Sequence, residues 1–152
     1  MGEFFGSIYC WFEDFFGQDL ADYLWGISAV GVTSNQFIGI GLWLFSVSLF
    51  LTLVFYYGCN KPSFNRWWIW LIAVGINAVV NFFIGWQYVL KDYYDNKMVT
   101  LHPETNQLVA LSIDEVDCLC FGVSNMLLSI LIFVLFSFIV KWWSTSLHNC
   151  PI

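Results

Sequence analysis

The chain has 152 residues, of which 59% are hydrophobic and only 11% charged, and its mean hydropathy is +0.71. A soluble domain carries about 25% charged residues, so this composition excludes a water-exposed globular surface and indicates a single membrane domain over 1–152. The net charge of −6 excludes nucleic acid as a partner, because phosphate recognition needs a basic surface.

Residues 3–24 read as an amphipathic helix, with Phe4, Phe5, Ile8, Trp11, Phe12, Phe15 and Phe16 recurring at intervals of three and four. Glu3, Glu13, Asp14, Asp19 and Asp22 interrupt the run too often for it to span. The helix is expected to lie in the outer interface with its aromatic face down. Its acidic face, Glu13, Asp14, Asp19 and Asp22, is a candidate partner-binding surface; the alternative is a helix that only packs on its own bundle. Gly26 to Asn35 is a connector of small residues, and Ser34 or Asn35 can cap the helix that follows.

The first span is expected over about 36–59, with Gly41, Ser48 and Thr52 on one face. Small residues let helices approach, and hydroxyls bond across or back along the helix. Asn60-Lys61-Pro62-Ser63 stops this span, and Ser63 or Asn65 caps the next, making the two antiparallel neighbours. From Trp67 to Leu90, between Arg66 and Lys91, no side chain is charged. Roughly twenty apolar residues cross a bilayer, so the second span is placed at about 67–90. Within it Ala73, Asn77, Asn81 and Gly85 recur every four residues. Trp67 and Trp68 beside Arg66 at one end are matched by Trp142 and Trp143 beside Lys141 in the third span; all six are read as interface anchors.

Residues 91–112 form an outer loop or short β-hairpin, with β-prone runs Met98–His102 and Gln107–Ile113 around a turn at Pro103–Asn106. Ser112 and Glu115 have capping-box spacing, which starts the last helix near Ile113. Its apolar part covers about 118–140 and places Asn125, Ser129, Phe133 and Ser137 on one face. The predicted fold is therefore an all-α integral membrane protein: three transmembrane helices preceded by an interfacial helix.

All eleven acids fall in 1–35 or 91–117, whereas 59–66 and 141–152 hold Lys61, Arg66 and Lys141 and no acid. Basic residues near span ends stay cytoplasmic, which predicts a plasma-membrane protein with its N-terminus outside and C-terminus inside. No cleavable signal is visible, since the first basic side chain is Lys61. Cys10, Cys118 and Cys120 then lie at the outer boundary, where a disulfide is permitted and free thiols packed as small hydrophobes are the alternative.

No nucleotide-binding, hydrolase or metal-ligand motif is present, so no catalytic residue, cofactor or metal is assigned. The polar residues of the spans, Ser48, Thr52, Asn77, Asn81, Asn125 and Ser129, have two readings. One is interhelical bonding, at about 0.6–2 kcal/mol per bond. The other is a water-lined pore built from several copies. Asn81 and Asn125, both outward of their span centres, are expected to meet. The expected function is a non-catalytic scaffold or anchor subunit of a membrane complex. Its partners would be the lipid bilayer and either copies of itself or other membrane-protein subunits; a homo-oligomeric pore or membrane-disrupting effector is the alternative. In topology alone the chain resembles the larger phage holins, which implies the pore reading. It departs from them in its long acidic N-terminus and in having only Lys141 where they carry a basic tail.

Overall fold

The computed structural model describes residues 2–26, 35–58, 67–101 and 108–143. In chain order they form α1 (Gly2–Tyr9), a 3₁₀ turn (Cys10–Phe12), α2 (Glu13–Phe16), α3 (Gln18–Trp25), and α4 (Gln36–Leu53), which continues as a π-helical stretch over Val54–Gly58. Then come α5 (Trp67–Tyr94), β1 (Val99–Leu101), β2 (Leu108–Ala110) and α6 (Glu115–Trp143). Three stretches are long and apolar enough to cross a membrane: Gln36–Tyr57, Trp67–Tyr94 and Glu115–Trp142. Among the described residues the fold is all-α apart from one antiparallel pair of strands, in which Val99 pairs with Ala110 and Leu101 with Leu108. Lys61, Pro62, the caps expected at Ser63 or Asn65, Arg66, the turn Pro103–Asn106, Ser34 and the tail beyond Trp143 lie outside the described residues.

The long helices begin and end close to expectation, with physical reasons for the differences. Asn35 caps α4, its side chain accepting from the Phe37 N–H at 2.9 Å. The end of α4 widens into π-helix, a form that often marks a functional or strained segment, and buries the consecutive residues Phe55 and Tyr56. α6 starts at Glu115 rather than near Ile113. The back-reaching half of a capping box is made by Asp117 to Asp114, not by Glu115 to Ser112: the Asp117 carboxylate accepts from the Asp114 N–H at 2.9 Å. The apolar residue before this cap, Ile113, and Cys118 four residues into the helix are both buried, as in a hydrophobic staple. Burying Ile113 moves the cap two residues on.

The largest correction concerns the N-terminus. Residues 3–24 are not one helix, and they do not lie flat across the end of the bundle. Gly17, at φ +94°, turns the chain between α2 and α3, and Gly26, at φ +79°, ends α3 in the left-handed conformation. Ahead of Gly17 the chain packs lengthwise against α4 and α6. Phe16 meets the Phe121 ring edge-on at 5.3 Å. Tyr9 is stacked between Phe37 and Phe121 at 5.1 and 5.4 Å. Phe5 fits into the space left by Gly41, where a Cβ would come within 2.3 Å of its ring, and meets Phe45 edge-on at 5.5 Å. A larger core therefore joins the N-terminal segment to one end of the bundle, and a smaller one around Phe55, Tyr56, Trp70, Val74, Phe133 and Val140 fills the other.

A buried polar column as the candidate functional site

Most polar positions of the three long helices turn inward, whereas Ser46 and Gln87 are exposed. Ser48, Thr52, Asn77, Asn81, Asn125 and Ser129 are each 0% exposed, as are Ser124 and Ser137. The four-residue spacing on α5 explains this, because i and i+4 share a helix face and that face meets α6. Two glycines let the helices approach. At Gly85 a Cβ would stand 2.8 Å from the Asn125 Nδ2, and at Gly122 it would stand 2.9 Å from the Trp86 Cβ.

The hydrogen bonds run in sequence along this seam. Tyr9 donates from its hydroxyl to the Asn125 Oδ1 at 2.5 Å. The Asn125 Nδ2 donates to the Asn81 backbone carbonyl at 2.7 Å. The Asn81 Nδ2 donates to the Asn77 carbonyl at 2.9 Å and to its Oδ1 at 3.1 Å. Asn77 then donates to the Ser129 carbonyl at 3.0 Å. Asn81 and Asn125 thus meet, through a backbone carbonyl rather than amide to amide, because Gly85 opens the carbonyl one turn before it to approach. The hydroxyls of Thr52, Ser124 and Ser129 bond back to carbonyls of their own helices, at 2.7, 3.0 and 2.7 Å. Trp70 reaches Ser137 at 3.4 Å near the far end. The Asn81 Oδ1 and the Ser48 Oγ have no hydrogen-bond partner among the described residues.

Tyr9 and Trp70 are members of this column that the sequence reading missed. For Tyr9 a signal existed: Phe5, Tyr9, Phe12 and Phe16 follow a helical period as well as Phe4, Ile8, Trp11 and Phe15 do. The other singled-out residues lie away from the column. Trp67 and Trp68, exposed at the start of α5 with ring centroids 3.9 Å apart, share the far end of the bundle with the exposed Trp142; Lys141 there is half-buried, and Trp143 closes α6. The four acids of the expected partner face are divided by the bend at Gly17: Glu13 and Asp14 on α2, Asp19 and Asp22 on α3. Cys10, Cys118 and Cys120 are free thiols, and only Cys118 is buried.

At the acidic end, where α5 finishes and α6 begins, Asp92 joins two elements. It accepts from the Tyr23 hydroxyl of α3 at 3.2 Å and pairs with Lys97 at 2.9 Å, while Lys97 also pairs with Asp95 at 3.0 Å. Burial pushes the Tyr23 hydroxyl up to about 12, helped by the Asp92 carboxylate and opposed by a hydrogen bond from Gln36. The two carboxylates likewise raise Lys97 above the ordinary lysine value. Nearby, a half-open cavity of about 430 Å³ is bordered by Tyr93, Tyr94, Asn96, Met98 and Ile113. An apolar groove of about 230 Å³ lies at the other end, between the π-helical stretch and α5.

Amides bonded to backbone carbonyls inside a helical bundle hold helices in register; they activate nothing by themselves. Compared with protein-family models, curated proteins and solved structures, the chain matches none.

Proposed function

We propose that the chain is a non-catalytic scaffold or anchor subunit of a membrane-embedded complex, assembling with copies of itself or with other membrane-protein subunits. One observation carries this reading. Eight polar side chains of the spans, Ser48, Thr52, Asn77, Asn81, Ser124, Asn125, Ser129 and Ser137, are buried and largely bonded within a single protomer, which leaves only Ser46 and Gln87 exposed among the uncharged polar residues between the helix ends. Apart from Ser46, Gln87 and the charged helix ends, what remains outside on α4, α5 and α6 is largely apolar, including Leu42, Trp43, Ile72, Val79, Phe83, Leu131, Leu135 and Phe138. Such a surface suits lipid tails and apolar neighbouring helices. The plasma membrane is the proposed location, with the acidic end outside, on the strength of the acid-free segments 59–66 and 141–152.

Purification from the native membrane in mild detergent, followed by reconstitution, tests the function. A partner or copy number of fixed stoichiometry, with ion flux at the level of protein-free vesicles, is the expected outcome. Flux that scales with protein content, together with growth arrest on expression, overturns the proposal in favour of a pore.

A further inference from the structure

The N-terminal segment has a second face that the bundle does not use. Phe5, Tyr9 and Phe16 point into the core, whereas Phe4, Trp11 and Phe15 are 60%, 82% and 52% exposed. Where that face lies along the bundle follows from the neighbours of the segment. Gly17 sits beside Asp117, near the start of α6. Phe16 meets Phe121, and Tyr9 meets Phe121 and Asn125. Phe5 and Ile8 border a small cavity with Leu128 and Ile132. On α4 the order agrees, with Tyr9 against Phe37 and Phe5 against Gly41 and Phe45. The segment therefore runs antiparallel to α6. From Asp117 to Leu128 is about 16 Å at 1.5 Å per residue, half of a hydrocarbon core of about 30 Å. From Phe4 to Phe12 no residue is charged, and the polar groups are the Tyr9 hydroxyl, turned into the core, and Ser7, exposed between Phe4 and Trp11. A helix apolar nearly all round is a buried or membrane helix, and a serine hydroxyl can bond back to its own helix.

We propose that residues 4–12 are a half-span, inserted to about the bilayer midplane, whose outward face of Phe4 and Trp11 contacts lipid acyl chains, with Phe15 continuing that face at the interface. This rests on α4, α5 and α6 being spans, because the depth is measured along them. Acyl chains are the occupant rather than a second copy of the chain. Three partly exposed aromatics offer roughly 400 Å², well short of the roughly 800 Å² per partner of a stable protein interface. The face also shares its levels with Leu42 and Trp43 of α4 and Leu127 and Leu131 of α6, all exposed and apolar.

The test is a depth profile in phosphatidylcholine–phosphatidylglycerol vesicles. Nitroxides are attached singly through Phe4→Cys, Trp11→Cys, Phe15→Cys and the control Leu131→Cys, in a chain whose five native cysteines are serine. Relaxation by oxygen is compared with relaxation by a water-soluble nickel chelate. The oxygen-to-nickel ratio is expected to rise from 15 through 11 to 4, with position 4 matching position 131. Equal, nickel-dominated ratios at 4, 11 and 15 with 131 in lipid mean a flat interfacial helix and overturn the half-span alone. A control at 131 that reports water overturns the spanning reading and the half-span with it. Low access to both reagents with dipolar broadening at 4 and 11 means a second copy covers the face, and overturns the assignment to lipid. The unsubstituted chain supplies an independent measurement with a diazirine carried midway along a phospholipid acyl chain. Adducts on Phe4 and Trp11 are expected, and adducts confined to Phe15 and later residues contradict the proposal.

Discussion

Replacing Gly85 by Ala probes the seam at its tightest point. The new Cβ would stand 2.8, 2.9 and 3.0 Å from the Nδ2, Cβ and Cγ of Asn125. Non-bonded carbon contacts relax to about 3.5–4.0 Å, so the Asn125 side chain must retreat by about 0.5–1 Å. That retreat breaks its 2.7 Å bond to the Asn81 carbonyl and removes the acceptor for the Tyr9 hydroxyl. Overpacking costs about 1–3 kcal/mol, the two lost bonds about 0.6 kcal/mol each, and the better helix propensity of Ala returns about 1 kcal/mol. The net expectation is a loss of about 1–3 kcal/mol. Reversible unfolding in mixed micelles with increasing SDS, followed by circular dichroism, measures it. Asn125→Ala removes the Nδ2 and Cγ contacts but keeps the Cβ at 2.9 Å, so the Gly85→Ala change added to that variant should cost less than it does in the parent chain. Such a non-additive pair is the signature of direct contact. If Gly85→Ala is within about 0.5 kcal/mol of the parent, the size expected of a surface change, or if the two changes simply add, the packing of this seam is wrong.

Tyr9→Phe keeps the ring stack and deletes the bond to Asn125; it should cost about 0.5–1.5 kcal/mol in the same assay, and nothing further once Asn125 is Ala. Gly41→Val drives side-chain carbons into the Phe5 ring, so it should lower stability by about 1–3 kcal/mol and make a label at position 4 shallower, whereas Gly75→Ala, with nothing within 4 Å, should do neither. The stability that Tyr23 contributes depends on pH in a direction set by its raised folded value. Its neutral form is the one favoured on folding, so its contribution is complete below the ordinary value of 10 and is lost as pH rises through about 12. Unfolding midpoints across that interval should therefore fall less for Tyr23→Phe than for the parent chain, and equal falls would contradict the burial of Tyr23 beside Asp92.

The spans were legible because they are charge-free runs of sufficient length, and their inward faces because Asn77, Asn81 and Gly85 repeat at the helical interval. The paired strands were legible from the β-prone runs 98–102 and 107–113. The N-terminal segment was not, for a specific reason. Five acids scattered over 3–24 obscure it, although four of the five follow residue 12, and Tyr9 belongs to a second aromatic stripe beside that of Phe4, Trp11 and Phe15. Taken alone, 4–12 is uncharged and, Ser7 and the Tyr9 hydroxyl apart, apolar, which already disfavours a flat interfacial helix. The cap of α6 was ambiguous because Ser112–Glu115 and Asp114–Asp117 have the same spacing, and only the burial of Ile113 separates them. The bond from Asn125 to the Asn81 carbonyl depends on how far apart α5 and α6 pack, a distance that Gly85 permits but does not announce. The π-helical end of α4 left no mark in its residues.

The inward, dry packing of the polar column is tested most directly by thiol accessibility at its centre. Ser48→Cys and Ser129→Cys are near-isosteric changes at positions with no exposed surface. The protein is reconstituted in vesicles, treated with a charged, water-soluble thiosulfonate, and its adducts are counted by intact mass against the parent chain, in which Cys10 is exposed. The expected result is the parent's adduct count for both variants, with one further adduct each only after denaturation in SDS. One further adduct on the native protein, formed as fast as that on Cys10, would mean that water reaches the column and would contradict its role as a structural seam.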